Sequence, residues 1–347
     1  MATTFAVPDG RVAMAATTYT GTGTSSARSV TGVAFQPDFV WGKGRSVASQ
    51  HNLFDAVRGS GKRLISNSTA AEETNAAFGY LSSFDSDGFS TLAGSTNNEN
   101  WNQTSATYVA WSWKAGGTAV SNTAGTIASS VSANTTAGFS IVVYTGNGTN
   151  GATVGHGLGA KPSLIIEKGR STAYNWSVQG CGVLWTPATS TLFLNATNAL
   201  NVSGAIAAPT TSVFTPSATL YANESGVSNV AYCWAPVAGY SAFGSYTGNG
   251  SADGPFIYTG FRPRWILYKR TDTTASWGVY DTSRDVSNVE TLGLYPNLSN
   301  AETTFVILDG LSNGFKIRNS DASSNASGGT YIYAAFAESA FKFSNAR

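Results

Sequence analysis

Apolar residues in this chain come in short runs bounded by Gly, Asn, Ser or Pro, as in Phe139-Ser-Ile-Val-Val-Tyr144, Ser163-Leu-Ile-Ile-Glu167, Thr191-Leu-Phe-Leu194, Trp265-Ile-Leu-Tyr268 and Tyr331-Ile-Tyr333. They are β-branched or aromatic and too short for helices, so they predict strands. In three places large side chains fall on alternate positions: Val109, Trp111 and Trp113; Val230, Tyr232 and Trp234; Ile332, Ala334 and Phe336. Between them lie small residues, Ala110 and Ser112 in the first set and Ala231 and Cys233 in the second. Period-2 alternation of this kind turns the large residues into a core, which makes Trp113, Trp234 and Phe336 core anchors. No segment longer than about ten residues repeats its apolar positions at the helical period. With 38 glycines in addition, the expected fold is all-β.

The strand pattern recurs. Tyr-Thr-Gly turns at Tyr19, Tyr144 and Tyr246 are followed 24, 24 and 23 residues later by Lys43, Lys168 and Lys269, each ending an apolar run that begins at Pro37, Pro162 or Pro263. Those prolines precede Trp113, Trp234 and Phe336 by 76, 72 and 73 residues. A period this long marks whole domains rather than solenoid units. The expectation is three tandem antiparallel β-sandwich modules, jelly-roll or lectin-like, over 1–117, 139–238 and 239–347, with a propeller or prism arrangement as the alternative. Each module is large enough to own a core. The Gly/Ala/Ser/Thr-rich stretch 118–138 reads as a flexible linker that isolates the first module as an anchor while the other two project outward.

Charge narrows the partners. Lys and Arg number 20 against 19 Asp and Glu, a formal net charge of +1 with 11% charged residues. No basic stripe for a phosphate backbone is present, so nucleic acid is not an expected partner. The chain shows neither a basic leader with an apolar stretch nor a run long enough for a membrane helix, and the expectation is a soluble protein made in a cytoplasm without membrane insertion. Cys181 and Cys233 fall in one module and leave open a disulfide or two buried thiols, with thiols favoured. Asn-x-Ser/Thr triplets at Asn67, Asn102, Asn195 and Asn325 carry little weight in so Asn-, Ser- and Thr-rich a chain.

Catalytic chemistry is sparse in the sequence. The two histidines, His51 and His156, lie in different modules, and Gly155-His-Gly-Leu-Gly159 reads as a turn. Neither a Gly-x-Ser-x-Gly elbow nor a metal-ligand spacing accompanies them. Asp85 and Asp87 in Phe84-Asp-Ser-Asp-Gly-Phe89 read as a turn rather than a calcium loop, with Leu308-Asp-Gly-Leu-Ser-Asn-Gly-Phe315 as counterpart. The basic pairs Lys43 and Arg45, Lys168 and Arg170, and Lys269 and Arg270 hold their register. They are candidates for binding acidic sugars, against the plainer reading of strand ends whose cations pair with a carboxylate or backbone. Trp101, Tyr174 and Trp176 lie outside the strand pattern and are candidates for stacking on sugar rings. No catalytic residue, metal or cofactor is expected.

The segments quoted above, together with Leu53-Phe-Asp-Ala-Val-Arg-Gly59, Tyr108-Val-Ala-Trp-Ser-Trp-Lys-Ala-Gly-Gly117, the stretch 239–254 and the terminal 337–347, resemble repeat-containing virion structural or fibre-like proteins of tailed bacteriophages. The resemblance implies a virion protein whose partners are other virion proteins, and it supplies no catalytic residues. The expected function is non-enzymatic: a short tail fibre or adhesin that binds a host surface glycan or protein, with a capsid decoration protein as the alternative. Neither a heptad shaft nor a collagen-like run is present, so an appendage of this chain is expected to be short. By analogy with phage appendages, a homotrimer is expected.

Overall fold

A computed structural model describes residues 5–97, 99–181, 191–200, 206–216 and 222–340. Residues 1–4, Asn98 and 341–347, which belong to segments read above, lie outside the described residues. The described chain is built almost entirely from antiparallel strands in six sheets, with one short helix, Ala322–Asn325, and a 3-10 turn, Gly10–Val12. The same four-stranded order appears three times, and in each case the closing strand is inserted between the opening and second strands. It runs Met14–Thr20, Thr107–Trp113, Phe39–Gly44, Asn52–Asp55 in the first repeat. The second is Phe139–Thr145, Ser228–Trp234, Leu164–Gly169, Ser177–Gly180, and the third Ser241–Thr247, Thr330–Ala340, Phe261–Arg270, Trp277–Asp281.

Burial on both faces explains the composition of the closing strands. The alternate residues ending at Trp113, Trp234 and Phe336 point into one continuous core, while on the opposite face Ala110 packs in one separate cluster, Ala231 and Cys233 in another, and in the third repeat Tyr333 meets Phe315 at 5.4 Å. There an outer sheet covers each inner sheet: Arg28–Thr31, Gly88–Leu92 and Tyr80–Asp85; Val154–Gly155 with Val213–Phe214; and Phe256–Tyr258, Gly314–Ile317, Thr303–Leu311 and Glu290–Gly293. Two layers stacked in this way form a sandwich.

The three landmark aromatics meet. Ring centroids of Trp113 and Trp234 lie 6.1 Å apart, Trp113 and Phe336 5.6 Å, and Trp234 and Phe336 6.4 Å, each pair edge to face. Edge-to-face contact is the favoured arrangement of aromatic quadrupoles. The expected independent cores are therefore corrected: the inner faces of all three repeats share one core. Each inner sheet is buried on both faces, and its outer sheet lies on only one of them.

The linker reading is also corrected. Within 118–138, strands Val120–Asn122 and Ser129–Asn134 extend the second repeat's inner sheet beside Phe139–Thr145. Val131 is buried in that repeat's outer cluster. Ser132 accepts the Gly116 amide at 3.0 Å, and Asn134 donates to the Lys114 carbonyl at 3.2 Å. The side chains are small because the segment lies against other backbone: a Cβ on Gly116 or Gly125 would sit 2.3 Å from a carbonyl oxygen.

Candidate binding cleft

The repeats close on one another head to tail. The amide of Glu72 donates to the Arg170 carbonyl at 2.8 Å, Leu200 to Thr271 at 2.8 Å and Glu302 to Arg45 at 2.7 Å, linking first to second, second to third and third to first. Trp176 Nε1 donates to the Ile65 carbonyl at 2.8 Å, and Trp277 Nε1 repeats this contact on Phe193 at 2.9 Å. Tyr232 Oη reaches Asp55 Oδ2 at 2.8 Å, as Trp111 Nε1 reaches Asp281 Oδ2 at 2.8 Å. The first repeat is thus joined to both others rather than isolated.

These joints absorb the recurrent basic residues. Arg170 pairs with Glu72, which also holds Arg58, itself 2.5 Å from Asp55. Arg45, Glu302, Arg284 and Asp281 reproduce the same chain at the next joint. Burial works against the Glu72 and Glu302 carboxylates, yet hydrogen bonds from Arg170 and Arg58, and from Arg45 and Arg284, hold both pKa values below the ordinary glutamate range. Lys43, Lys168 and Lys269 are each 1% exposed and donate to the carbonyl of the next residue. Lys43 also reaches Ser299 of the third repeat, and Lys168 reaches Thr69 of the first. Burial lowers the pKa of all three to about 8. The acidic-sugar role is withdrawn for Lys43, Arg45, Lys168 and Arg170: the lysines are out of solvent and the arginines are committed to carboxylates across the joints.

The aromatic candidates are corrected on similar grounds. Trp101 is 1% exposed because Gly42 leaves a slot for it; a Cβ there would lie 2.3 Å from the indole. The ring packs on Phe54 and Phe89 at 5.6 and 5.8 Å. Trp176 is fully buried in the shared core. Tyr174 is half-buried and its hydroxyl bonds Glu224.

Other polar candidates are structural. His156 Nδ1 accepts the Leu158 amide at 3.2 Å within its turn. His51 is buried and accepts from Trp41 Nε1 at 3.0 Å; burial pushes its pKa well below the usual value. Ser86 and Asp87 form the turn between Tyr80–Asp85 and Gly88–Leu92, as read from sequence, and Asp87 also accepts the distant Gly32 and Ala34 amides at 3.2 and 2.6 Å. Among the described residues no group of three His, Cys, Asp or Glu side chains is placed to hold a metal ion. Cys181 and Cys233 are free and buried.

Open clefts occur among the described residues. One, of about 690 Å³, is lined by Gln36, Asp38, Val57, Lys114 and residues 115–119. Its carboxylate is engaged, since Asp38 Oδ2 accepts the Ala115 amide at 2.8 Å. Another, of about 280 Å³, lies between the first repeat and Ser299 of the third and is lined by Val47, Gln50, Phe78, Glu99, Asn100 and Gln103. The loop singled out for Trp101 therefore does border a cleft, but through the neighbours of the tryptophan.

Sequence reasoning missed two threefold sets of asparagines. Asn102, Asn223 and Asn325 accept the amides of Thr22, Asn147 and Asn249 at 2.8, 3.0 and 2.8 Å and clamp the Tyr-Thr-Gly turns. Each lies eleven residues before Trp113, Trp234 or Phe336, a spacing visible in the sequence. Asn67, Asn195 and Asn297 likewise cap the amides of His51, Trp176 and Trp277. The triplets at Asn67, Asn102, Asn195 and Asn325 thus serve as backbone clamps.

Architecture and site define a class of all-β protein in which several antiparallel sheets close around one aromatic core and display shallow polar clefts. The chain belongs to the family described as Domain of unknown function (DUF7483), whose model matches residues 13–340. No curated protein and no solved structure matches the chain.

Proposed function

We propose that this chain is a non-enzymatic structural protein of a tailed-bacteriophage particle, exposed as a short tail fibre or adhesin that meets the host surface. The observation that carries the structural part of this reading is the use of the register-holding ionic groups. Arg45, Arg58, Arg170, Arg284, Glu72 and Glu302 join repeats to each other instead of converging on a reacting centre. The location rests on the resemblance of the long segments quoted above. A continuous core with short turns suits a particle surface, where resistance to unfolding matters more than motion. Immuno-electron microscopy of intact particles with antibody against this chain is the test: label on the tail is expected, and its absence from all particles removes the proposal.

The head-to-tail closure of three equivalent repeats favours a second reading, capsid decoration. One chain presenting three related faces matches a threefold position in a protein lattice. Label over the head, and heads that lose stability when the protein is deleted, are the outcomes that would select it.

A further inference from the structure

We infer that the cleft bordered by Phe78, Glu99 and Gln103 is a saccharide site that takes an uncharged pyranose unit; its biological occupant, a host surface glycan, rests on the exposure proposed above. The aromatic wall arises from a tight turn. The Gly79 amide donates to the Ala76 carbonyl at 3.0 Å, Gly79 adopts φ 96°, and Ala76 is buried, so Phe78 is turned outward with 43% of its surface exposed. The Asn100 amide donates to the Phe78 carbonyl at 3.0 Å and ties the opposite wall to this turn. That wall is held at three points: Trp101 fills the slot at Gly42, Tyr108 Oη donates to the Glu99 carbonyl at 2.7 Å, and Tyr108 Oη accepts the Gln103 amide at 2.9 Å. Glu99 and Gln103 are exposed, and neither side chain has a hydrogen bond or ion pair among the described residues.

The third repeat supplies an internal comparison. Tyr331 Oη makes the same bridge, from the Ala322 carbonyl at 2.9 Å to the Ala326 amide at 2.8 Å, but the two positions carry methyl groups. In the second repeat the residue in the place of Gln103 is Glu224, already bonded by Tyr174. Among the described residues, a scaffold used for folding in the third repeat thus carries a free carboxylate and a free amide beside an exposed aromatic ring in the first. That combination, an apolar face for the C–H side of a pyranose and unspent polar groups on a held backbone for its hydroxyls, is what a sugar site needs. Charge sets the class. The nearest recurrent cation, Lys43, is buried and spends its ammonium on Gly44, Ser49 and Ser299. A uronic or sialic acid would meet Glu99 without a counter-charge, whereas a neutral sugar accepts it as a hydrogen-bond acceptor.

The test is titration calorimetry of the full chain with four probes: an N-acetylglucosamine oligomer, dextran, a neutral galactan and polygalacturonate. Binding to at least one neutral probe is expected, with none to polygalacturonate. Phe78→Ala and Glu99→Gln should each weaken it by about tenfold or more, and Tyr258→Ala, on an exposed outer strand, should leave it unchanged. Both site residues are exposed, and unchanged thermal midpoints would show that the variants are folded. The inference is overturned if no neutral probe binds, if polygalacturonate binds as tightly, or if both site variants bind like the wild type. Particle labelling is independent of all of these results. Label without neutral-sugar binding sinks this site and leaves the proposed function standing, while binding without label does the reverse.

Discussion

Arg58 and Arg284 show how residue chemistry is spent in this molecule. Each guanidinium is fully buried and bridges an aspartate of its own repeat and a glutamate that also holds an arginine of the next. Removing one partner of a buried pair strands the other. Arg58→Met is therefore expected to cost ~3–5 kcal/mol of stability in urea denaturation, and Arg284→Met a similar amount. A loss below about 1 kcal/mol would mean that the joint is not built as described. Glu167 gives a pH signature. Burial raises its carboxyl to about 8 against a hydrogen bond from Tyr144, so the folded chain keeps a proton that the unfolded chain releases near the ordinary glutamate value. The resulting stability is fully present below about 4.5 and is lost as pH rises through about 8. Glu167→Gln should keep its thermal midpoint over that window while the wild type falls relative to it; parallel curves would contradict this. The register of Lys43 and Lys168 was legible in sequence, and so was the plainer reading that strand-end cations find local partners. Which carboxylates Arg45 and Arg170 would find was not, because Glu302 and Glu72 lie in other repeats, 257 and 98 residues away, even though each follows its capping asparagine, Asn297 or Asn67, by five residues.

At the level of elements, the closing strands were the most legible, because alternation of large and small residues needs no tertiary information. The segment 118–138 was the least. Gly, Ala, Ser and Thr are the composition of a linker, and also of strands packed so closely on other backbone that larger side chains have no room. Limited proteolysis separates the two: strands Val120–Asn122 and Ser129–Asn134 predict no cleavage within 118–138 under native conditions. Early cuts there would restore the linker. Trp101 failed as a surface candidate for a comparable reason. Its slot is created by Gly42, a residue whose lack of a side chain says nothing in sequence about what fills the gap.

The whole molecule follows from the shared core. Trp113, Trp234 and Phe336 touch one another, so each repeat taken alone would expose large aromatic surface. The full chain is expected to unfold in one calorimetric transition, with equal calorimetric and van't Hoff enthalpies. Three resolved transitions would mean that the repeats are independent domains. By itself the sequence determined the strand class, the three recurring sets of landmarks and the burial of their aromatics, because periodicity and turn chemistry act over a few residues. Only the tertiary structure decided that the repeats close on one core, that the recurrent cations lie inside the joints, and that Phe78, Glu99 and Gln103 share a cleft. Those outcomes depend on side chains distant in sequence, whose partners are selected by the volume and charge left over when the sheets pack.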